Sequence, residues 1–178
     1  MLNNINKINK KEIFSIGLIL ILALSRMLPH APNFTPIIAV AIMSGYLFSN
    51  IKHCFLIVLF SMLVTDFFLG FYNNMIFVYG SLFLITFIFY KISKKISLKN
   101  LFAYSFGGSL IFFIVSNFGV WALGNIAMNG VPYEKSFSGL IECYFYAIPF
   151  FGNTFISTII FSYSALGASY IFHKKNYN

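Results

Sequence analysis

Arg26, His30 and Asp66 stand out because so apolar a chain has little reason to keep them. Arg26 is the sole arginine, and Asp66 is one of four carboxylates. A guanidinium can hold an anion or a carbonyl. A carboxylate can pair with it, hold a cation or carry a proton, and an imidazole can serve as a base. His30 and Asp66 could form an acid–base pair, but no nucleophile accompanies them. The chain has no HExxH, no GxSxG, no aspartate-rich diphosphate motif and no paired glutamates on one helix. It also lacks the GxxxxGK[ST] loop that cradles phosphates, so it cannot itself drive transport with ATP. These absences predict a non-enzyme with no catalytic residue, metal site or cofactor. Cys54 and Cys143 fall near opposite faces of the hydrophobic map and are not expected to pair.

The elements that must position these groups follow from composition. Of 178 residues, 59% are hydrophobic and 9% charged, against about a quarter charged in soluble domains. The apolar runs approach the roughly 20 residues that cross a bilayer. One all-α integral membrane domain over 1–178 is expected. It has six transmembrane helices at about 12–28, 36–51, 52–71, 75–93, 100–123 and 152–172, and the bilayer is its first partner. The net charge of +8 does not indicate nucleic acid, because the basic residues sit between apolar runs and line no helix face. With the N-terminus inside, Lys7, Lys10, Lys11, Lys52, Lys91, Lys94, Lys95, Lys99, Lys174 and Lys175 face the cytoplasm, and only Arg26 and Lys135 face out. That bias predicts N-in, C-in. Residues 1–25 also resemble a signal peptide ending at Ala23-Leu24-Ser25. The apolar stretch continues through Met27 and Leu28, which favours a retained first helix.

Depth places the polar groups. Arg26 follows Glu12 by 14 residues and Asp66 follows Lys52 by 14, so each lies about 21 Å in. Equal depth makes an Arg26–Asp66 pair feasible. It could be a structural pair fixing helix 1 against helix 3, or one partner could face a ligand. Helix 2 is short, with Thr35 as N-cap and Pro36 in its first turn. The preceding Pro29-His30-Ala31-Pro32-Asn33-Phe34 cannot be helical throughout. It is expected either to dip inward and line an outward cavity, with the helix 2 N-terminus pointing into it, or to act only as a rigid turn. Counting back from Phe172 puts Asn153 at the outer surface, so 137–149 is expected as a short outer interfacial helix, a lid or a passive cap. Tyr72, Asn73, Asn74, Tyr79, Asn117, Trp121, Asn125 and Tyr133 fall at the same outer level. The inner half is nearly all apolar. Ala41/Gly45, Ser105/Ser109 and Ser164/Ala168 have the spacing for close helix contact.

Three stretches carry a resemblance to a known family. They are Arg26-Met27-Leu28-Pro29-His30-Ala31-Pro32-Asn33-Phe34-Thr35-Pro36, then Thr65-Asp66-Phe67-Phe68-Leu69-Gly70-Phe71, and the block from Ser116-Asn117-Phe118-Gly119-Val120-Trp121 through Gly139, Cys143 and Pro149 to Asn153-Thr154. On these, nearly the whole chain resembles an uncharacterised family of small bacterial membrane proteins labelled as candidate transport proteins. That family is similar to the substrate-binding S components of energy-coupling factor transporters, and in size and layout to the solitary cobalamin transporter of that type. Ala31 stands where a proline is expected. Helix 1 lacks the AxxxA motif of S components, and the loop from Gly70 to Gly80 lacks the cobalt-ligating cysteine. The resemblance implies an outward cavity roofed by external loops, in a bacterial cytoplasmic membrane.

The expected function is uptake of a small polar, vitamin-like nutrient, alone or with a separate energising complex. The expected cavity residues are Arg26, His30, Asn33, Asp66, Tyr79, Asn117, Trp121, Glu142 and Asn153. Arg26 would hold an anionic or carbonyl group, and the aromatics would stack on a planar part. The alternative is a non-transporting accessory or assembly subunit whose polar cluster is internal glue.

Overall fold

The structure, a computed structural model, describes residues 10–92, 96–125 and 130–177. Lys7, Lys94 and Lys95, and the Ser93 end expected for helix 4, lie outside the described residues.

The described residues form six α-helices: α1 (Lys10–Leu24), α2 (Ile37–Leu47), α3 (Ile51–Leu69), α4 (Met75–Ile92), α5 (Leu98–Ala122) and α6 (Phe137–Tyr177). α1 tightens into a 3-10 turn over Ser25–Met27. Asn50 caps α3, its side chain accepting from Lys52 N at 2.9 Å. Ser97 caps α5, accepting from Asn100 N at 3.2 Å. Such caps satisfy amide donors that the first helical turn leaves open.

α3, α4, α5 and α6 are long and apolar enough to cross a membrane; α1 and α2 are shorter. The packing suits that solvent. Leu56, Phe60, Phe67, Ile76 and Phe106 are exposed, while Ser15, Ser44, Thr86, Ser105, Ser109, Ser157 and Thr158 are buried. Apolar groups outside and hydroxyls inside are what lipid permits, because small hydroxylated residues let helices approach and bond across. Ser109 bonds Thr158 at 3.2 Å between α5 and α6. A Cβ on Gly45 would sit 2.6 Å from Tyr90 N, so α2 and α4 cross where only glycine fits.

α2 is the centre of the bundle. It touches α1, α3, α4, α5 and α6, and of its residues only Tyr46 is not buried. At 11 residues it is about 16 Å long. Its shortness costs nothing in lipid exposure, since neighbouring helices cover it.

Two sequence expectations give way here. The segment 137–149 is no separate interfacial helix or lid. It is the first third of α6, which runs unbroken for 41 residues through Pro149, about 61 Å. Proline removes one backbone donor and ordinarily breaks a helix. Here the flanking turns are held against α5: Tyr144 Oη donates to Ile114 O at 2.7 Å, Cys143 Sγ to Asn117 O at 3.5 Å, and Phe113 lies against Tyr144 and Phe151. Packing along α5 outweighs the local penalty. Thr35 is also not an N-cap. Pro36 takes that position, without a side-chain cap bond, and the Thr35 hydroxyl stays free among the described residues.

Candidate functional site

Lys10, Lys11, Lys52, Lys91, Lys99, Lys174 and Lys175 gather at the end of the bundle where α1, α3 and α5 begin and α2, α4 and α6 finish. The opposite end holds the 3-10 turn, the Pro-rich loop and the α3–α4 loop, and there the charged cluster forms.

Arg26 leaves the 3-10 turn and pairs with Asp66 of α3 through Nη1 and Oδ1. The same Nη1 donates to Thr65 Oγ1 at 2.9 Å. Tyr79 of α4 donates to the other carboxylate oxygen, Oδ2, at 2.8 Å. Asp66 is fully buried, and these two donors are what make an interior carboxylate tolerable. α3 can stop directly beyond it because Gly70 adopts φ 97° and returns its N–H to Asp66 O at 2.8 Å. The equal depths inferred for Arg26 and Asp66 are thus realised as a bonded pair.

Nη1 makes the hydrogen bonds to Asp66 and Thr65, and the guanidinium also interacts with the neighbouring Tyr72 phenol. Beside them lies a cavity of about 180 Å³, lined by Arg26, Asn33, Thr35, Ile37, Ile38, Tyr72, Val78, Phe112 and Thr154. The wall combines the guanidinium with an amide, two threonines and a phenol over an apolar floor. Desolvation, and then the Asp66 carboxylate, push the Tyr72 phenol up to about 12, so it stays a neutral donor. The first α2 amide to reach a backbone carbonyl is Val40 N, to Pro36 O at 2.8 Å. The amides of Ile37, Ile38 and Ala39 therefore remain open at the same end of the cavity, where the helix carries partial positive charge. On the other side of Arg26, Ser61 Oγ is buried without a partner and faces a void of about 10 Å³ bounded also by Ile37, Met62 and Thr65, about the size of one water.

The Pro-rich loop is folded over this region. His30 Nε2 meets Arg26 O at 3.1 Å and its Nδ1 meets Ala31 O at 2.9 Å, so the imidazole braces the loop. Asn33 turns the chain with φ 60° and lines the cavity. Asn153 of α6 donates to Pro32 O at 3.0 Å, latching the loop to α6.

The residues expected to form one cavity divide into two groups. Arg26 and Asn33 line it; Asp66 and Tyr79 stand behind Arg26; His30 and Asn153 hold the loop. Asn117, Trp121 and Glu142 belong elsewhere. Asn117 and Trp121 follow the cavity residue Phe112 by five and nine positions along α5, about 7.5 and 13.5 Å farther out. Asn117 Nδ2 donates to Phe113 O at 2.8 Å within its own helix. Trp121 Nε1 donates to Glu134 O at 2.9 Å, and the Lys135 ammonium lies 5.3 Å over the indole. Lys135 also donates to Trp121 O, and to Ala122 O at 2.8 Å, closing the end of α5. Tyr133 and Cys143 pack against Trp121 as a small separate core, next to Glu142. This is a folded tip joining α5 to α6, and none of the three lines the cavity. Thr35, Tyr72 and Thr154 line it but were not among the nine expected residues. Their signal was present, since Thr35 and Thr154 stand inside the quoted motifs and Tyr72 at the same outer level.

Residues 6–178 match the model of a family described as a family of unknown function (DUF6580), and the chain belongs to that family. No curated protein and no solved structure matches it.

Proposed function

We propose that this is a multi-pass protein of a bacterial cytoplasmic membrane, with six crossings and both termini inside, that binds a small polar nutrient in an outward cavity for uptake. In this reading it is S component-like and acts alone or with a separate energising complex. The lysine-rich end of the bundle is the cytoplasmic one by the positive-inside rule. The Arg26 end then faces out. Irregular backbone at membrane depth is tolerated where it lines a cavity, and the Pro-rich loop fits that description.

One observation carries the reading: a guanidinium held by Asp66 and Thr65 also lines a cavity at the end of the bundle away from the lysines. A purely structural pair has no need of that opening. Ionisable groups inside membranes tend to mark solute paths. The volume, about 180 Å³, is below the roughly 300 Å³ of ordinary ligand pockets. It suits a compact solute, and a ligand of vitamin size requires the loop latched by Asn153 to lift.

Native mass spectrometry of the purified protein tests this. A reproducible co-purified small molecule, lost from a folded Arg26 variant, is the expected result. A ligand retained without Arg26 contradicts the site.

The alternative, an accessory subunit, draws on one feature. Phe137, Ile141 and Phe145 make an i, i+4, i+8 stripe on α6 that is 78, 53 and 66% exposed. A stable stoichiometric protein partner released by Phe145→Asp, with no ligand found, favours that reading.

A further inference from the structure

We infer that the solute is a compact monoanion, of the chemistry of a small carboxylate, bound by the Nε–Nη2 edge of Arg26. This rests on the cavity reading above and names the ligand class for it.

The argument is a count of what the wall offers. Asp66 uses one side of the guanidinium, through Nη1 alone. The remaining edge has parallel N–H groups in the fork that matches a carboxylate's two oxygens. The lining includes no Asp or Glu, so no carboxylate at the wall competes for the guanidinium or welcomes a cation. The neutral Tyr72 phenol that interacts with Arg26 is the competitor a carboxylate displaces or shares. The other polar groups, the hydroxyls of Thr35 and Tyr72 and the amide of Asn33, can donate to a second polar atom. Thr154 has its proton on Phe150 O at 2.9 Å, leaving an acceptor. A ligand with one carboxylate and one hydroxyl or carbonyl would satisfy all of these. The open α2 amides add to the same sign of potential but are secondary to the fork. Size sets the upper bound, since about 180 Å³ holds few atoms beyond the charged group. The charge number follows from the pair: the remaining edge of an arginine already facing one carboxylate suits one further negative charge, and a dianion would face Asp66 without a second cation.

The test uses Thr35→Cys in the full-length protein in intact cells. Cys54 and Cys143 are buried, 0 and 2% exposed, so background labelling is low. External methanethiosulfonates carrying a sulfonate or a trimethylammonium group are compared, each corrected for its rate with a free thiol. The sulfonate reagent is expected to react faster, by about twofold to fivefold, the upper figure being that of one uncompensated unit charge at a few ångströms and the lower allowing for Asp66. Combining Arg26→Gln with Asp66→Asn, which removes both charges together, should bring the ratio to about one. Labelling by neutral methyl methanethiosulfonate should be slowed by acetate and not by acetamide. Arg26→Lys, which keeps the charge without the fork, should retain the reagent preference and lose the acetate protection. A preference for the cationic reagent, or equal protection by acetamide and acetate, overturns the monoanion while the cavity stands. If none of the three reagents reaches T35C from outside, the outward cavity itself fails.

Discussion

Among the described residues, Arg26 and Lys135 are the Arg and Lys side chains away from the lysine-rich end of the bundle, and their donors are used differently. Lys135 closes a helix. Its ammonium meets the last carbonyls of α5 and covers the Trp121 ring, where a cation also complements the helix dipole. Around it Trp121 Nε1 is satisfied by Glu134 O, and Gly124, at φ 67°, turns the chain out of the helix. Arg26 bonds Asp66 and Thr65 through Nη1 and, with the Tyr72 phenol beside it, lines a cavity. Both regions are aromatic, polar and charged. What separates a candidate binding group from a structural one is that Arg26 also borders a cavity.

The comparison can be broken in several ways. The largest effect is expected from Arg26→Ala, which strands a buried carboxylate and should cost about 3–5 kcal/mol in denaturant unfolding in detergent. Lys135→Ala in the same assay should cost about 1 kcal/mol or less. Equal losses would show the tip to be as integral to the fold as the pair. Tyr79→Phe removes a hydrogen bond to a charged acceptor and should cost about 1.5–3 kcal/mol. A loss near zero would mean that Arg26 and Thr65 alone suffice to hold Asp66 in place. Asn153→Ala should cost about 1 kcal/mol and speed thiol labelling of T35C, because it frees the loop from α6. Unchanged labelling would remove the latch from the account. The smallest effect is a coupling: the losses from Arg26→Ala and Lys135→Ala should add within about 0.5 kcal/mol, as for sites that share no partner. A larger coupling would make the two regions one site.

Much of this site was legible before the fold. Arg26 and Asp66 lie equally far from the basic residues that mark one membrane face, and rise per residue turns that into depth. The prolines around His30 forbid helix, so the loop was readable too. The division of the nine expected residues was not. Depth measures position along the bundle axis and says nothing of which helix faces which. Asn117 and Trp121 share a level with the cavity yet belong to a hairpin with its own small core. The continuity of α6 failed for a related reason. Pro149 reads locally as a stop, and only contacts with α5, distant in sequence, keep the helix going.

The amino-acid sequence by itself determined that the chain is apolar enough for several membrane-length helices, where they run, which end of the bundle is basic, and that an arginine and an aspartate meet at one depth. These follow from hydropathy, chain geometry and charge placement, which are local or additive along the chain. Only the tertiary structure decided that α2 lies buried at the centre, that α6 is one helix of 41 residues, and that a single nitrogen of Arg26 holds Asp66 while the residue also lines a cavity. Those depend on the angles at which helices pack and on which donors find acceptors across them, and such contacts belong to pairs of distant segments.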